Sequence, residues 1–234
     1  MRHAMVTGGG GGVGRAVALR LARDGWRVAI LGRSLGALEA TSAVAPPDRI
    51  VCHACDVTDQ GAVARVRNRV GAEFVTVDAV VNPAGTNVVH RSLDQLSVAD
   101  FHTLVDVNLV GAFHVAHAFL PLMRGRDRAT IVNIASDAGL VANVKAGAGY
   151  VASKFGLAGL THALNLELRG QGIRVTAVFP GDIDTALLEK RPVPPRPEAR
   201  AIMLQTDDVA ECVMLAITLP HRAVIESLVV RPRY

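Results

Sequence analysis

Tyr150 and Lys154 stand four residues apart in GYVASKFG, a spacing that puts both side chains on one face of a helix, one turn from each other. Tyr150 is one of two tyrosines in the chain; the other, Tyr234, is its last residue. A free phenol has a pKa near ~10 and moves protons poorly at neutral pH. A neighbouring ammonium favours the phenolate, so the pair predicts a tyrosine drawn down toward the range in which a general acid or base works. Chance pairs of this kind are common on helices, and the neighbours decide. Ser136, in VNIASDAG, taken alone reads as a hydroxyl that caps a strand end. Asn108, in VDVNLVGAF, taken alone reads as a helix-interior polar residue bonding backbone.

A second feature lies near the start, in TGGGGGVG, Thr7 to Gly14. It follows an apolar strand and opens a helix, the setting in which glycines let backbone approach a pyrophosphate at a helix N-terminus. Five consecutive glycines would be a costly way to make a plain turn, because each adds unfolded-state entropy. Three registers are open: Gly9, Gly11 and Gly14 spell G-x-G-x-x-G; Gly8, Gly11 and Gly14 spell T-G-x-x-G-x-x-G; Gly8, Gly12 and Gly14 spell T-G-x-x-x-G-x-G. The first expects an acid at the end of the second strand to hold ribose hydroxyls. RVAILGRS ends instead on Arg33, which suits a 2′-phosphate and so NADP rather than NAD.

Seven apolar, β-branched runs could position these groups: HAMVT, RVAILG, RIVCHACDV, DAVVN, ATIVNIA, IRVTAVF and ESLVV. Helical patterns alternate with them at 12–24, 35–44, 60–70, 100–123, 150–169 and 207–219, and Ser97 with Asp100 forms a capping-box signal before the fourth. Continuous apolar strands imply a sheet buried on both faces. The expectation is an α/β fold, a doubly wound seven-stranded parallel sheet with helices on both sides, in one domain over 1–234. The rhythm breaks at EKRPVPPRPEAR, where prolines exclude a regular helix, and 186–205 reads as a substrate loop or lid at the sheet's carboxyl edge. Lys190, Arg191, Arg196 and Arg200 there read as solvated charges, an anionic substrate being the other reading.

Composition narrows the function classes. The net charge of +4 is mild and the basic residues are scattered without interleaved aromatics, which argues against a nucleic-acid partner. No uninterrupted apolar run reaches membrane-spanning length and the N-terminus does not read as a signal peptide, so a cytoplasmic location is expected, away from membranes. Three cysteines agree with a reducing compartment. Cys52 and Cys55 lie three apart on a strand pattern and should face opposite sides, against a shared metal or redox site. His114 and His117 share a helix face with no further ligand near them, so no metal is expected.

Taken in order, these segments resemble the short-chain dehydrogenase/reductase superfamily in its short single-domain form, over nearly the whole chain. Thr7, Gly8, Gly12, Val13 and Gly14 look like the cofactor turn, and CDVTD, with Asp56 and Val57, is similar to the adenine-contacting segment. NPAG supplies Asn82, Ala84 and Gly85, while PGDIDT, with Pro180, Gly181, Ile183 and Thr185, resembles the nicotinamide-side motif. The resemblance selects the third glycine register. It implies an NAD(P)-dependent oxidoreductase, NADP(H) favoured over NAD(H), that interconverts a carbonyl and a secondary alcohol, as 3-oxoacyl reductases do. Tyr150 is then the acid/base, Ser136 the holder of the substrate oxygen, Lys154 the group that tunes Tyr150 and binds the nicotinamide ribose, and Asn108 the anchor of a proton-relay water. The partners implied are a small carbonyl or alcohol substrate and further copies of the chain, in a homodimer or homotetramer.

Four departures stand out. Pro83 replaces a second asparagine, Gly11 sits where NADP-preferring members often carry a basic residue, Ser136 precedes Tyr150 by one residue more than is commonest, and ESLVVRP lacks the usual Asp-Gly-Gly ending. Two alternatives remain. One is an extended-type epimerase or dehydratase, which needs a substrate domain the chain has no room for. The other is a non-catalytic dinucleotide sensor, which has no need of Ser136, Tyr150 and Lys154 together.

Overall fold

The computed structural model describes residues 1–233; Tyr234 lies outside them. Each expected run forms a strand: β1 His3–Thr7, β2 Arg27–Gly32, β3 Ile50–Ala54, β4 Ala79–Asn82, β5 Thr130–Ile134, β6 Arg174–Pro180 and β7 Ser227–Val230. Among the described residues they make one parallel sheet in the order β3-β2-β1-β4-β5-β6-β7. The winding reverses between β1 and β4, which opens a crevice at their carboxyl ends. Strands β4, β5 and β6 are buried along their whole length, the physical reason their sequences are continuously apolar.

Side-chain alternation divides the core into two layers. Ala4, Val6, Val28, Ile30, Val81 and Val132 point to one face of the sheet, packing with α1 Gly12–Arg23 and α8 Thr206–Thr218. Met5, Ala29, Leu31, Val80 and Ile131 point to the other, toward α3 Gln60–Phe74 and α5 Gly111–Met123. Cys52 packs with the first layer and Cys55 belongs to the second, so the two thiols lie on opposite sides of the sheet. Cys52, Cys55 and Cys212 are free thiols. The remaining helices are α2 Leu35–Ser42, α4 Val98–Val105, α6 Ala148–Leu168 and the single turn α7 Pro197–Arg200.

The structure corrects several boundaries. β3 stops at Ala54, so Cys55, Asp56 and Val57 lie in the turn beyond it rather than in a strand. The helix expected over 100–123 starts earlier, at Val98, where Ser97 accepts from the Asp100 amide. It is also not uniform: α4 and α5 are joined by a π-helical turn, Asp106–Val110, which contains Asn108. Val98–Met123 is long and apolar enough to cross a membrane by length and composition, with a mean hydropathy of 1.4 over its most apolar 18 residues. Its apolar residues are interrupted by Asp100, Asp106, Asn108, His114 and His117, and Leu104, Val115, Phe119 and Met123 are buried within the fold.

The segment 186–205 is not a plain loop. It holds a 3₁₀ turn, Ala186–Lys190, and then α7, with Pro197 at the first helical position, where a missing N–H costs nothing. A bridge between Ile183 and Leu204 ties its ends together.

The glycine turn is crowded at one end and open at the other. A Cβ on Gly14 would run into the Gly8 carbonyl and lie 2.8 Å from the Thr7 carbonyl oxygen, whereas one on Gly11 would meet nothing within 4 Å. Gly11 has extended backbone, which any residue adopts. Gly14→Ala should therefore lose about 2 kcal/mol or more in urea unfolding, the usual cost of overpacking against a rigid neighbour. Gly11→Ala should stay within about 0.5 kcal/mol of the parent, and equal losses for the two would contradict this geometry.

Candidate active site

A cleft of about 1090 Å³ opens at the carboxyl ends of β1, β4, β5 and β6. Its lining brings together residues far apart in sequence: Gly8–Gly14 without Gly9 and Gly10, Arg33, Ala84 and Gly85, Ser136, Tyr150 and Lys154, and Pro180, Gly181, Ile183 and Thr185. Of the expected site residues, Thr7, Asp56, Val57, Asn82 and Asn108 do not line it.

Each of those five has a visible structural task. Thr7 is buried and its Oγ1 accepts from the Ala84 amide at 3.1 Å, locking the end of β1 to the turn after β4. Pro83 therefore removes no donor that this lock uses. Asp56 accepts from the amide and hydroxyl of Thr58 at 2.9 and 2.8 Å, and these bonds, with Arg33 nearby, hold its carboxyl below the usual range. Val57 packs against Gly111 of α5. Asn82 donates to Asn133 Oδ1 at 2.9 Å, Asn133 donates to Thr161 Oγ1 at 2.9 Å, and Thr161 donates to the Leu157 carbonyl. This buried chain runs from β4 through β5 into α6.

Asn108 is held by the backbone of Thr86, accepting from its amide at 2.7 Å and donating to its carbonyl at 3.0 Å. It also donates to Ser153 Oγ at 3.0 Å, and Ser153 donates to the Tyr150 carbonyl at 2.8 Å. The backbone-bonding reading of Asn108 is thus present in the structure. Asn133, Thr161 and Ser153 escaped the sequence reading, because buried serine, threonine and asparagine leave no periodic trace; a polar residue inside the apolar run TIVNI was the available signal.

Lys154 is buried and its ammonium donates to the Ile134 carbonyl at 2.8 Å, 5.7 Å from the centre of the Tyr150 ring. Burial lowers its pKa to about 8. Gly85 keeps the space beside it open: a Cβ there would lie 3.3 Å from Asn108 Oδ1 and 3.6 Å from Lys154 Nζ. The Tyr150 phenol departs from the expected direction. Burial pushes it up to about 12, Asp137 adds to the rise, and the hydrogen bond with Ser136 together with Arg91 and Arg191 opposes it. The ammonium that should have drawn it down is itself short of water and bonded to Ile134, so desolvation wins. Ser136 caps the 3₁₀ turn Asp137–Gly139 by accepting from the Ala138 amide at 3.2 Å.

At the other end of the cleft α1 begins with no side-chain cap at Gly11 and no acid in its first turn, leaving its N-terminus to a ligand. Arg33 is exposed at the rim. The open space at Gly11, the uncapped amides and the exposed Arg33 at the rim fit a dinucleotide pyrophosphate and a further phosphate. Among the described residues no group of three His, Cys, Asp or Glu side chains could hold a metal ion.

A buried lysine whose pKa falls from 10.5 to about 8 binds fewer protons in the folded than in the unfolded chain between those values. Stability contributed there rises with pH across that window, and the penalty is full below it. Lys154→Met should consequently gain about 2 kcal/mol at pH 7, allowing for the unpaired Ile134 carbonyl, and lose that advantage above about pH 10.5. Urea unfolding of both proteins across pH 7 to about 10.5 measures it, and a mutant less stable at pH 7 would sink the account.

With this geometry in hand, comparison with known proteins is informative. Residues 2–194 match the family model described as short chain dehydrogenase. An uncharacterized oxidoreductase of Staphylococcus aureus (strain N315) is 31% identical over 229 residues, covering 98% of this chain and 96% of the relative. The crystal structure of an alcohol dehydrogenase from the archaeon Thermococcus sibiricus, complexed with 5-hydroxy-NADP, is 29% identical with a TM-score of 0.89, covering 100% of this chain and 97% of that one. The 3-ketoacyl-(acyl-carrier-protein) reductase from Brucella melitensis, complexed with NADH, is 26% identical with a TM-score of 0.89, over 99% and 97%. An oxidoreductase fold, matched from end to end, carries the motifs in family order: the chain belongs to the short-chain dehydrogenase/reductase family.

Proposed function

We propose that the chain reduces a carbonyl to a secondary alcohol, or runs the reverse reaction, with NADP(H) preferred to NAD(H). The observation that carries this is the convergence of Ser136, Tyr150 and Lys154 on one wall of a cleft whose other end suits a dinucleotide. When bound, the cofactor supplies or accepts the hydride; the rest is the work of the chain.

Gly8, Gly12, Val13 and Gly14 would hold the pyrophosphate, Arg33 the 2′-phosphate, and Asp56 and Val57 the adenine side. Asn82, Ala84 and Gly85, and then Pro180, Gly181, Ile183 and Thr185, would frame the nicotinamide half, where Lys154 and Tyr150 also reach. Ser136 holds the substrate oxygen and Tyr150 donates its phenolic proton to it. A phenol held near 12 is protonated at neutral pH, which suits a proton donor and so the reductive direction. Lys154 stabilises the phenolate as the proton leaves, and Asn108 holds the π turn against Thr86 so that α6 presents both groups together.

The segment 186–205 acts in this reading as the substrate loop, within one domain over the whole chain. Its charges are pinned yet still in contact with solvent: Lys190 donates to Thr86 Oγ1 at 2.8 Å, Arg191 pairs with Asp182, Arg200 pairs with Asp184 and Glu189, and Arg196 is exposed. Exposed Phe113 on α5 and Leu166 on α6 support self-association as a dimer or tetramer. The free cysteines suit a reducing, cytoplasmic setting.

Tyr150→Phe should lose at least about a hundredfold in kcat for ketone reduction while binding NADPH as the parent does, read by initial rates and by fluorescence titration. Parental turnover by that mutant would end the mechanism. Arg33→Asp should move kcat/KM toward NADH, and Gly11→Arg, into open space, should move it further toward NADPH. A parent that already prefers NADH removes the role given to Arg33.

A further inference from the structure

We propose, resting on the carbonyl reading above, that Arg91 anchors a carboxylate on the substrate with Lys145 beside it, so that the substrate is an oxo acid or its hydroxy acid. Arg91 is 8% exposed and its guanidinium donates to three backbone carbonyls, those of Val88 and Lys145 at 2.9 Å each and that of Lys190. No carboxylate pairs with it among the described residues. A buried cation held only by neutral dipoles is costly, and such charges are ordinarily matched.

The chain has an internal comparison. Arg174 is buried to a similar degree, but its three nitrogens bond Thr130 Oγ1 and the carbonyls of Ile217, Leu219, Pro220 and Ala223, which occupies its donors. It lines neither cavity and is explained by structure alone. Arg91 makes three such bonds out of the five N–H donors of a guanidinium, leaving two uncommitted. Its position is also different, since it lines the catalytic cleft together with Ser136 and Tyr150.

The charges around it point the same way. Arg191 is neutralised by Asp182, and Arg231 lies 3.9 Å from Asp137, the two acids of the cleft lining. Arg33 lies beside the glycine turn and Lys154 is bonded to Ile134. That leaves Arg91 and Lys145 as uncompensated cations on the substrate side, and the Lys145 side chain is exposed with no ion pair among the described residues. A guanidinium with two uncommitted N–H donors can meet a carboxylate through charge-assisted hydrogen bonds. Arg91 further borders an adjoining groove of about 1100 Å³, where Leu93, Val144, Val151, Phe155 and Val193 offer apolar surface to the hydrocarbon part of such an acid.

The test is a set of medium-chain oxo acids with the oxo group at successive positions, their methyl esters and the matching ketone, each assayed by NADPH oxidation. The parent should favour one acid over its ester by about tenfold in kcat/KM, and the KM of the acid alone should rise with salt. Arg91→Gln should abolish that preference, lowering the acid-to-ester ratio about tenfold, whereas a purely structural staple would lower both substrates alike. Because Arg91 joins three loops, Lys145→Gln serves as the second variant: its exposed side chain can be changed without unfolding risk, and it should lower the ratio about threefold. Turnover of ester or ketone with no preference for any acid, or an unchanged ratio in both variants, overturns the anchor and leaves the carbonyl reading standing. No turnover of any of the three classes overturns both.

Discussion

Lys154 carries an ammonium into a place where 4% of the residue meets solvent, and the Ile134 carbonyl, 2.8 Å away, is its hydrogen-bond partner. Much of the surrounding architecture follows from accommodating it. Gly139 must lack a side chain because a Cβ there would lie 2.7 Å from the Lys154 carbonyl oxygen, and a Cβ on Gly85 would crowd Asn108 Oδ1 at 3.3 Å while only touching Nζ at 3.6 Å. The end of β5, the 3₁₀ turn after it and the start of α6 are thereby pressed together, which is what sets Ser136 against Tyr150. Burying that charge works against folding, and the fold bears the cost in the wall of the cleft.

Positioning falls to neutral hydrogen bonds. The Asn82–Asn133–Thr161 chain fixes α6 on β4 and β5, and the Asn108–Ser153 bond fixes its first turn on the π turn. Each such bond contributes only about 1 kcal/mol net, but leaving one buried partner unpaired costs more, so the arrangement tolerates few alternatives. A regular α-helix through 106–110 would carry Asn108 around the axis and away from Thr86. The extra residue in the π turn is what lets one amide side chain meet both the Thr86 backbone and Ser153.

The strands were legible because a two-sided parallel sheet writes itself as continuous apolar runs, and the family order of the motifs predicted which loops would meet at the carboxyl edge. The π turn was not legible, since VDVNLVGAF has nothing that a plain helix would lack. The direction of the Tyr150 shift was misread for a related reason. Helical spacing places an ammonium near a phenol, but it says nothing of how much water both have lost or which carbonyl the ammonium prefers. Arg91 was missed altogether: HRSLDQ reads as a surface segment, and only the fold wraps Val88, Lys145 and Lys190 around the guanidinium.

The glycine run shows the same limit at closer range. Sequence assigns Gly8, Gly12 and Gly14 to the motif and treats Gly9, Gly10 and Gly11 as a free middle, yet the three are not equivalent. A Cβ on Gly9 would sit 2.5 Å from the Ile30 Cβ and one on Gly10 2.9 Å from the Ala37 Cβ, so both are glycines because β2 and α2 pack beneath the turn. Gly11 alone faces open space. The run is therefore a packing requirement at Gly9 and Gly10 followed by one open position at Gly11, a distinction that five identical letters do not carry.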